Sequence, residues 1–79
     1  MWHRGSIQIP QKDGGTLIVH YEVKSYSKNS RYGINRGRIS KLLLRVKGEC
    51  AASYDRGWVK EPDCEAVNMA LCILLNHYN

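Results

Sequence analysis

TLIVHYEVKSY, residues Thr16–Tyr26, alternates with a period of two. Leu17, Val19, Tyr21 and Val23 fall on one side, and His20, Glu22 and Lys24 on the other, with only Ile18 and Tyr26 breaking the polar side. That period belongs to a strand that buries one face and wets the other, so an antiparallel sheet follows. Upstream, Ile7 and Ile9 alternate with Ser6 and Gln8 in a short strand ended by Pro10. Lys12-Asp13-Gly14-Gly15 supplies the glycines a hairpin turn needs. Downstream, Arg38–Lys47 resumes the alternation, with Leu42, Leu44 and Val46 inward. Lys41, Arg45 and Lys47 then face outward, accompanied by Ile39 and Leu43. Lys47-Gly48 reads as a two-residue turn into a fourth strand, Glu49–Trp58, with Cys50, Ala52 and Tyr54 inward.

The period changes after Pro62-Asp63. Asp63 is the expected N-cap, and Glu61 and Glu65 place negative charge at the positive end of a helix dipole. Val67, Leu71, Leu74 and Tyr78 recur at helical spacing, with Leu75 beside them. The expected fold is α+β: a four-stranded antiparallel β-meander packed against one C-terminal α-helix, ββββα, as a single domain spanning 1–79. Its core joins the inward residues of the second and third strands to the apolar stripe of the helix.

Composition narrows the function classes. Seventy-nine residues make one small domain, and 43% hydrophobic with 24% charged residues is the balance of a folded chain. The longest mostly apolar run, Ala66–Leu75, is too short to cross a bilayer, which takes about 20 residues. Met1-Trp2-His3-Arg4 leads into no apolar signal core, so the expected compartment is the cytoplasm. Cys64 and Cys72 lie about 12 Å apart along one helix, beyond disulfide reach, and Cys50 is expected as a buried thiol. His3, His20 and His77 are scattered, and no Cys-x-x-Cys or His-x-x-x-His spacing offers a metal site. No nucleophile elbow, P-loop or dinucleotide fingerprint occurs. A non-enzymatic protein without catalytic residues, metal or cofactor is expected.

Charge is the strongest functional signal. All twelve basic residues lie in residues 1–60 with only four acids, and no acid interrupts the run from Lys24 to Lys47. Lys24, Lys28, Arg31, Arg36, Arg38, Lys41 and Arg45, interleaved with Tyr26 and Tyr32, form the candidate anion-binding or nucleic-acid-binding set. Cations attract phosphates and aromatic rings give unpaired bases a stacking surface. The competing reading is the solvated side of an antiparallel sheet. Residues 27–37 form a loop long enough to be functional or mobile. In Tyr54-Asp55-Arg56-Gly57-Trp58, either Asp55 and Arg56 grip a ligand beside an aromatic wall, or Gly57 turns the chain and Trp58 packs over the start of the helix. On the far side of the helix, Ala66, Met69 and Ile73 form a second apolar patch, with Ala70 adjoining. That patch points to a homodimer or a host-protein contact.

Met1-Trp2 with Gly5, Tyr32-Gly33-Ile34, Gly37-Arg38-Ile39-Ser40-Lys41-Leu42, Tyr54–Trp58 and the closing Tyr78-Asn79 together resemble a family of small uncharacterised proteins from Gram-positive bacteria, their phages and integrative elements. The resemblance spans nearly the whole chain and implies a mobile-element or phage setting, with no functional residue attached. The expected function is a non-catalytic accessory protein that binds nucleic acid or a nucleotide-like anion through the basic, Tyr-containing surface. The alternative is an interaction module, a host-factor or defence inhibitor, acting through the C-terminal helix.

Overall fold

A computed structural model describes all of residues 1–79. Five strands, β1 (Trp2–Pro10), β2 (Thr16–Ser25), β3 (Ile39–Val46), β4 (Glu49–Asp55) and β5 (Trp58–Lys60), form one antiparallel sheet in chain order, followed by helix α1 (Glu65–Tyr78). The meander and its helix are as expected, but the sheet has five strands rather than four. The chain turns at Arg56-Gly57, where Arg56 adopts φ 58°, and the expected Glu49–Trp58 strand becomes a hairpin pairing Tyr54 with Trp58. Trp58 packs edge-on against Tyr54 at 5.1 Å between ring centroids. β1 is also longer than its apolar pair suggests, because main-chain pairing with β2 runs from Trp2↔Lys24 to Pro10↔Thr16.

One face of the sheet is covered by α1. Val19, Val23, Leu42, Leu44, Val67, Leu71 and Leu74 are buried together, with Leu17, Tyr21, Val46 and Tyr78 packed around them. Alternation in β2 and helical spacing in α1 therefore meet as the sequence indicates. Ala70 joins this core rather than the outer flank, because its position on the wheel lies beside Val67 and Leu74. The helix starts one residue later than expected: Cys64 is the extended N-cap and makes no side-chain capping bond.

Register shifts interrupt three of the four strand pairs, the last leaving Val59 extra in β5, and the first two reverse parts of the expected alternation. Lys24 pairs with Lys41 but Ser25 with Ile39, leaving Ser40 as the extra residue. The parity of β3 thus switches, and Ile39, expected outside, is fully buried. Leu44 pairs with Ala52 but Arg45 with Cys50, leaving Ala51 extra. Cys50 consequently follows Arg45 to the open face and is exposed, not buried. Cys64 and Cys72 are likewise free and exposed.

The 27–38 segment is a loop tied to the core and to the end of the chain. Its 3₁₀ turn, Ile34–Arg36, sinks Ile34 into the core, while Asn35 and Arg36 take positive φ at the exposed tip. Asn79 anchors it through one carboxamide. Its Oδ1 accepts from Ile39 N–H at 2.9 Å, and its Nδ2 donates to Ile34 C=O at 3.0 Å. The Tyr54 hydroxyl donates to Tyr32 C=O at 2.7 Å. A Cβ on Gly33 would collide with the Gly37 carbonyl, and one on Gly37 with the Asn79 side chain.

Two outcomes follow for stability. Leu71→Ala is expected to destabilise by about 2–5 kcal/mol in chemical denaturation. Gly37→Ala and Asn79→Ala each lower the unfolding midpoint. Because both act on the same contact, their double mutant is expected to lose less than the two single losses added together.

A candidate anion-binding site on the open sheet face

Antiparallel pairing aligns Trp2, Lys24, Lys41 and Asp55 in one row across the face that α1 leaves open. Paired residues share a side of the sheet, so register alone brings these four side chains together. Tyr26 follows β2 and is held by its N–H, which donates to Arg38 C=O at 3.0 Å. The Lys24 ammonium lies between two exposed rings, 5.9 Å from the Trp2 centroid and 5.5 Å from that of Tyr26. Both distances are within cation–π range. Trp2 is 52% exposed and Tyr26 50%, so each ring offers free surface beyond its contact with Lys24.

The cluster acts back on the phenol. Hydrogen bonding from Lys24, then its positive charge, hold the Tyr26 hydroxyl below the ordinary tyrosine range, with Ser40 and Arg56 pulling the same way. Arg56 joins the neighbourhood because its N–H donates to Ser40 C=O at 3.1 Å, seating the β4–β5 turn beside the Ser40 bulge. An open depression of about 200 Å³ adjoins the row, lined by Trp2, Glu22, Lys41, Leu43, Ser53 and Asp55 among others. Its rim carries both signs of charge: cations able to meet a phosphate, and carboxylates able to accept from amino groups.

Only part of the expected basic set converges here. Lys24, Tyr26 and Lys41 do, although Lys41 shares its charge with Asp55 at 4.0 Å. Arg45 lies further along the face, where Glu22 pairs with it at 3.3 Å and with Arg4 at 3.0 Å. That carboxylate offsets positive charge in the middle of the sheet. In the loop, Arg31 covers the ring of its neighbour Tyr32 at 5.1 Å and donates to its hydroxyl at 3.1 Å. Arg38 is drawn towards the end of α1, where its Nε donates to Asn79 O at 3.4 Å. Lys28 and Arg36 are exposed without a side-chain partner. The loop cations therefore form a second group, joined to the first through the Tyr26–Arg38 main-chain bond.

Trp2 belongs to the site although the sequence reading omits it, and Arg56, read from the sequence only within the Tyr54–Trp58 cluster and apart from the basic set, joins its neighbourhood. For Trp2 a signal existed, since it shares the parity of Arg4, Ser6 and Gln8 and lies on the polar side of β1 once that strand is extended backwards. For Arg56 the conspicuous Tyr54–Trp58 cluster was a signal, but its place beside Tyr26 follows only from the hairpin it closes. On the helix, Met69 and Ile73 are 45% and 47% exposed, while Ala66 is half-buried against the core.

The family described as Domain of unknown function (DUF7678) matches residues 1–79, and the chain belongs to it. No curated protein and no solved structure matches the chain. No helix is long and apolar enough to cross a membrane.

The Tyr26 environment can be read optically. In an alkaline titration followed by phenolate absorbance, one of the five tyrosines is expected to ionise ahead of the others. Tyr26→Phe removes that early step, and Lys24→Met moves it up towards the ordinary value near 10. Tyr78, whose phenol is held above the usual range by its hydrogen bond to Tyr21 and by burial, ionises late.

Proposed function

We propose that this protein is a non-catalytic, cytoplasmic accessory protein that binds nucleic acid or a nucleotide-like anion on the open sheet face. The observation that carries the reading is the Lys24 ammonium set between the exposed rings of Trp2 and Tyr26, with Lys41 next in the row. Stacking surface and positive charge then occur at one spot, which is what an unpaired base with its phosphate requires. A purely solvating lysine face has no need of two half-exposed aromatic rings beside it. Arg31, Arg36, Arg38 and Lys28 extend the positive field along the loop and serve as secondary phosphate contacts. Arg45, offset by Glu22, contributes least. The setting that accompanies this reading is a phage or integrative element of Gram-positive bacteria.

A second reading, an interaction module acting on a host protein, is favoured by one feature. The outer side of α1 bears an open apolar groove of about 690 Å³ lined by Pro62, Cys64, Asn68, Met69, Cys72 and Ile73 among others.

Fluorescence anisotropy with labelled single-stranded oligonucleotides tests the first reading. Affinity is expected to fall steeply between low and moderate salt, because each neutralised phosphate releases condensed counterions. Lys24→Glu with Lys41→Glu abolishes binding and leaves the unfolding midpoint nearly unchanged. Trp2→Ala weakens it by about 5- to 150-fold, the equivalent of about 1–3 kcal/mol for one stacked base. Arg36→Glu with Arg38→Glu lowers affinity less than the Lys24 and Lys41 pair. Absence of salt-sensitive binding to single strands, duplexes and mononucleotides by the wild-type protein would reject the proposal.

A further inference from the structure

The two edges of the sheet differ. β5 is three residues long and too short to template another strand, whereas β1 presents nine residues and nothing pairs with its outer side. A long open edge normally carries several blunting devices. Here Arg4 and the terminal Pro10 are the only ones, and Arg4 is already held by Glu22 at 3.0 Å.

The direction of the free groups is fixed by the ladder. Met1 exchanges both main-chain bonds with Ser25, and Gln11 N–H donates to Gly15 C=O. Between them the β1–β2 register is unbroken. In an antiparallel ladder the bonded residues alternate. Odd-numbered residues of β1 therefore bond to β2, and the N–H and C=O groups of Trp2, Arg4, Ser6 and Gln8 point away from the sheet. Pro10, the next even position, lacks an N–H where no intrachain partner needs one.

We infer that β1 pairs with β1 of a second copy of this chain, antiparallel about a two-fold axis at Gly5, to make one continuous sheet. In that register Trp2 faces Gln8 and Arg4 faces Ser6, so every outward N–H and C=O of these residues finds a partner. Shifting the axis to Ser6 would oppose Trp2 with Pro10 and lose a bond. An odd shift would set outward-pointing groups against inward-pointing ones. Gly5 meets its own copy at a non-bonded pair, where strands approach most closely and a missing side chain removes the crowding. The arrangement is isologous and closes on itself.

A second observation falls on the same edge. Ala66 and Met69 border β1 at Ile9 and Pro10 around a depression of about 230 Å³, and Ile73 lies one turn beyond Met69. The exposed apolar surface of α1 thus reaches the β1 edge at Met69 and continues onto the outer side of the helix at Ile73. Joining two β1 strands brings the Met69–Ile73 flanks of two helices towards one another above the junction. Free hydrogen-bonding groups and free apolar surface on one edge are what a second copy satisfies together. The inference stands independently of anion binding.

Residue-resolved hydrogen exchange, with sedimentation in parallel, decides it on nuclease-treated wild-type protein in high salt. The expected species is a dimer of the 9.1 kDa chain in which the Arg4, Ser6 and Gln8 amides exchange slowly, and that protection is lost on dilution to the monomer. Ser6→Pro removes one outward N–H without touching the ladder to β2. It is expected to give a folded monomer, and Met69→Lys with Ile73→Lys to shift the equilibrium the same way. Should Ser6→Pro fail to fold, the wild-type exchange pattern alone is decisive. A wild-type protein that stays monomeric at high concentration overturns the inference. So does a dimer whose Arg4, Ser6 and Gln8 amides exchange as freely as unpaired ones.

Discussion

Asn79 closes the structure with a single carboxamide, and both ends of that group are used. Its oxygen accepts from Ile39 at the start of β3 and its nitrogen donates to Ile34 in the preceding loop. A loop that sinks a side chain into the core also carries main-chain groups out of water, and each of them needs a partner. A carboxamide carries donor and acceptor on one short group, so it can serve two such groups at once. With that bond made, Ile34 and Ile39 close the end of the core, Gly37 lies against Asn79, and the loop cations are fixed relative to the sheet. The unsubstituted Cα positions at Gly33 and Gly37 follow from the same close approach.

Charge on the open face is shaped by pairing rather than by composition. The stretch from Lys24 to Lys47 reads as an unbroken cationic run, yet Glu22 sits between Arg4 and Arg45 on the folded surface. Exposed ion pairs of this kind add little to stability. They do redistribute potential, leaving the free cations at the Lys24 end and along the loop. At the Lys24 end the two aromatic rings stand as well, and any anion that also presents a flat apolar face is best matched there. The main-chain groups left open along β1 begin at Trp2, at the edge of this same end of the face, whereas the apolar groups left open on α1 lie on the other side of the sheet.

What the sequence determined by itself was the layout of elements with a strong internal period. Leu17, Val19, Tyr21 and Val23 at spacing two, and Val67, Leu71 and Leu74 at helical spacing, state which sides are buried. They do so because each element hides one face and exposes the other. The turns at Gly14-Gly15 and Lys47-Gly48 were equally plain, since positive φ at Gly14, Lys47 and Gly48 is a local property. Tertiary structure alone decided everything that depends on parity between strands. One extra residue at Ser40 and another at Ala51 turn Ile39 inward and Cys50 outward, and a single out-of-phase residue such as Ile39 reads in the sequence equally as an exposed apolar side chain. Trp2 meets Lys24, Arg56 approaches Tyr26, and Asn79 reaches Ile34 across 45 residues, because pairing register and chain reversal bring distant positions together. The candidate cations were legible as residue types. Which of them share a site was a matter of register, and register belongs to the sheet as a whole.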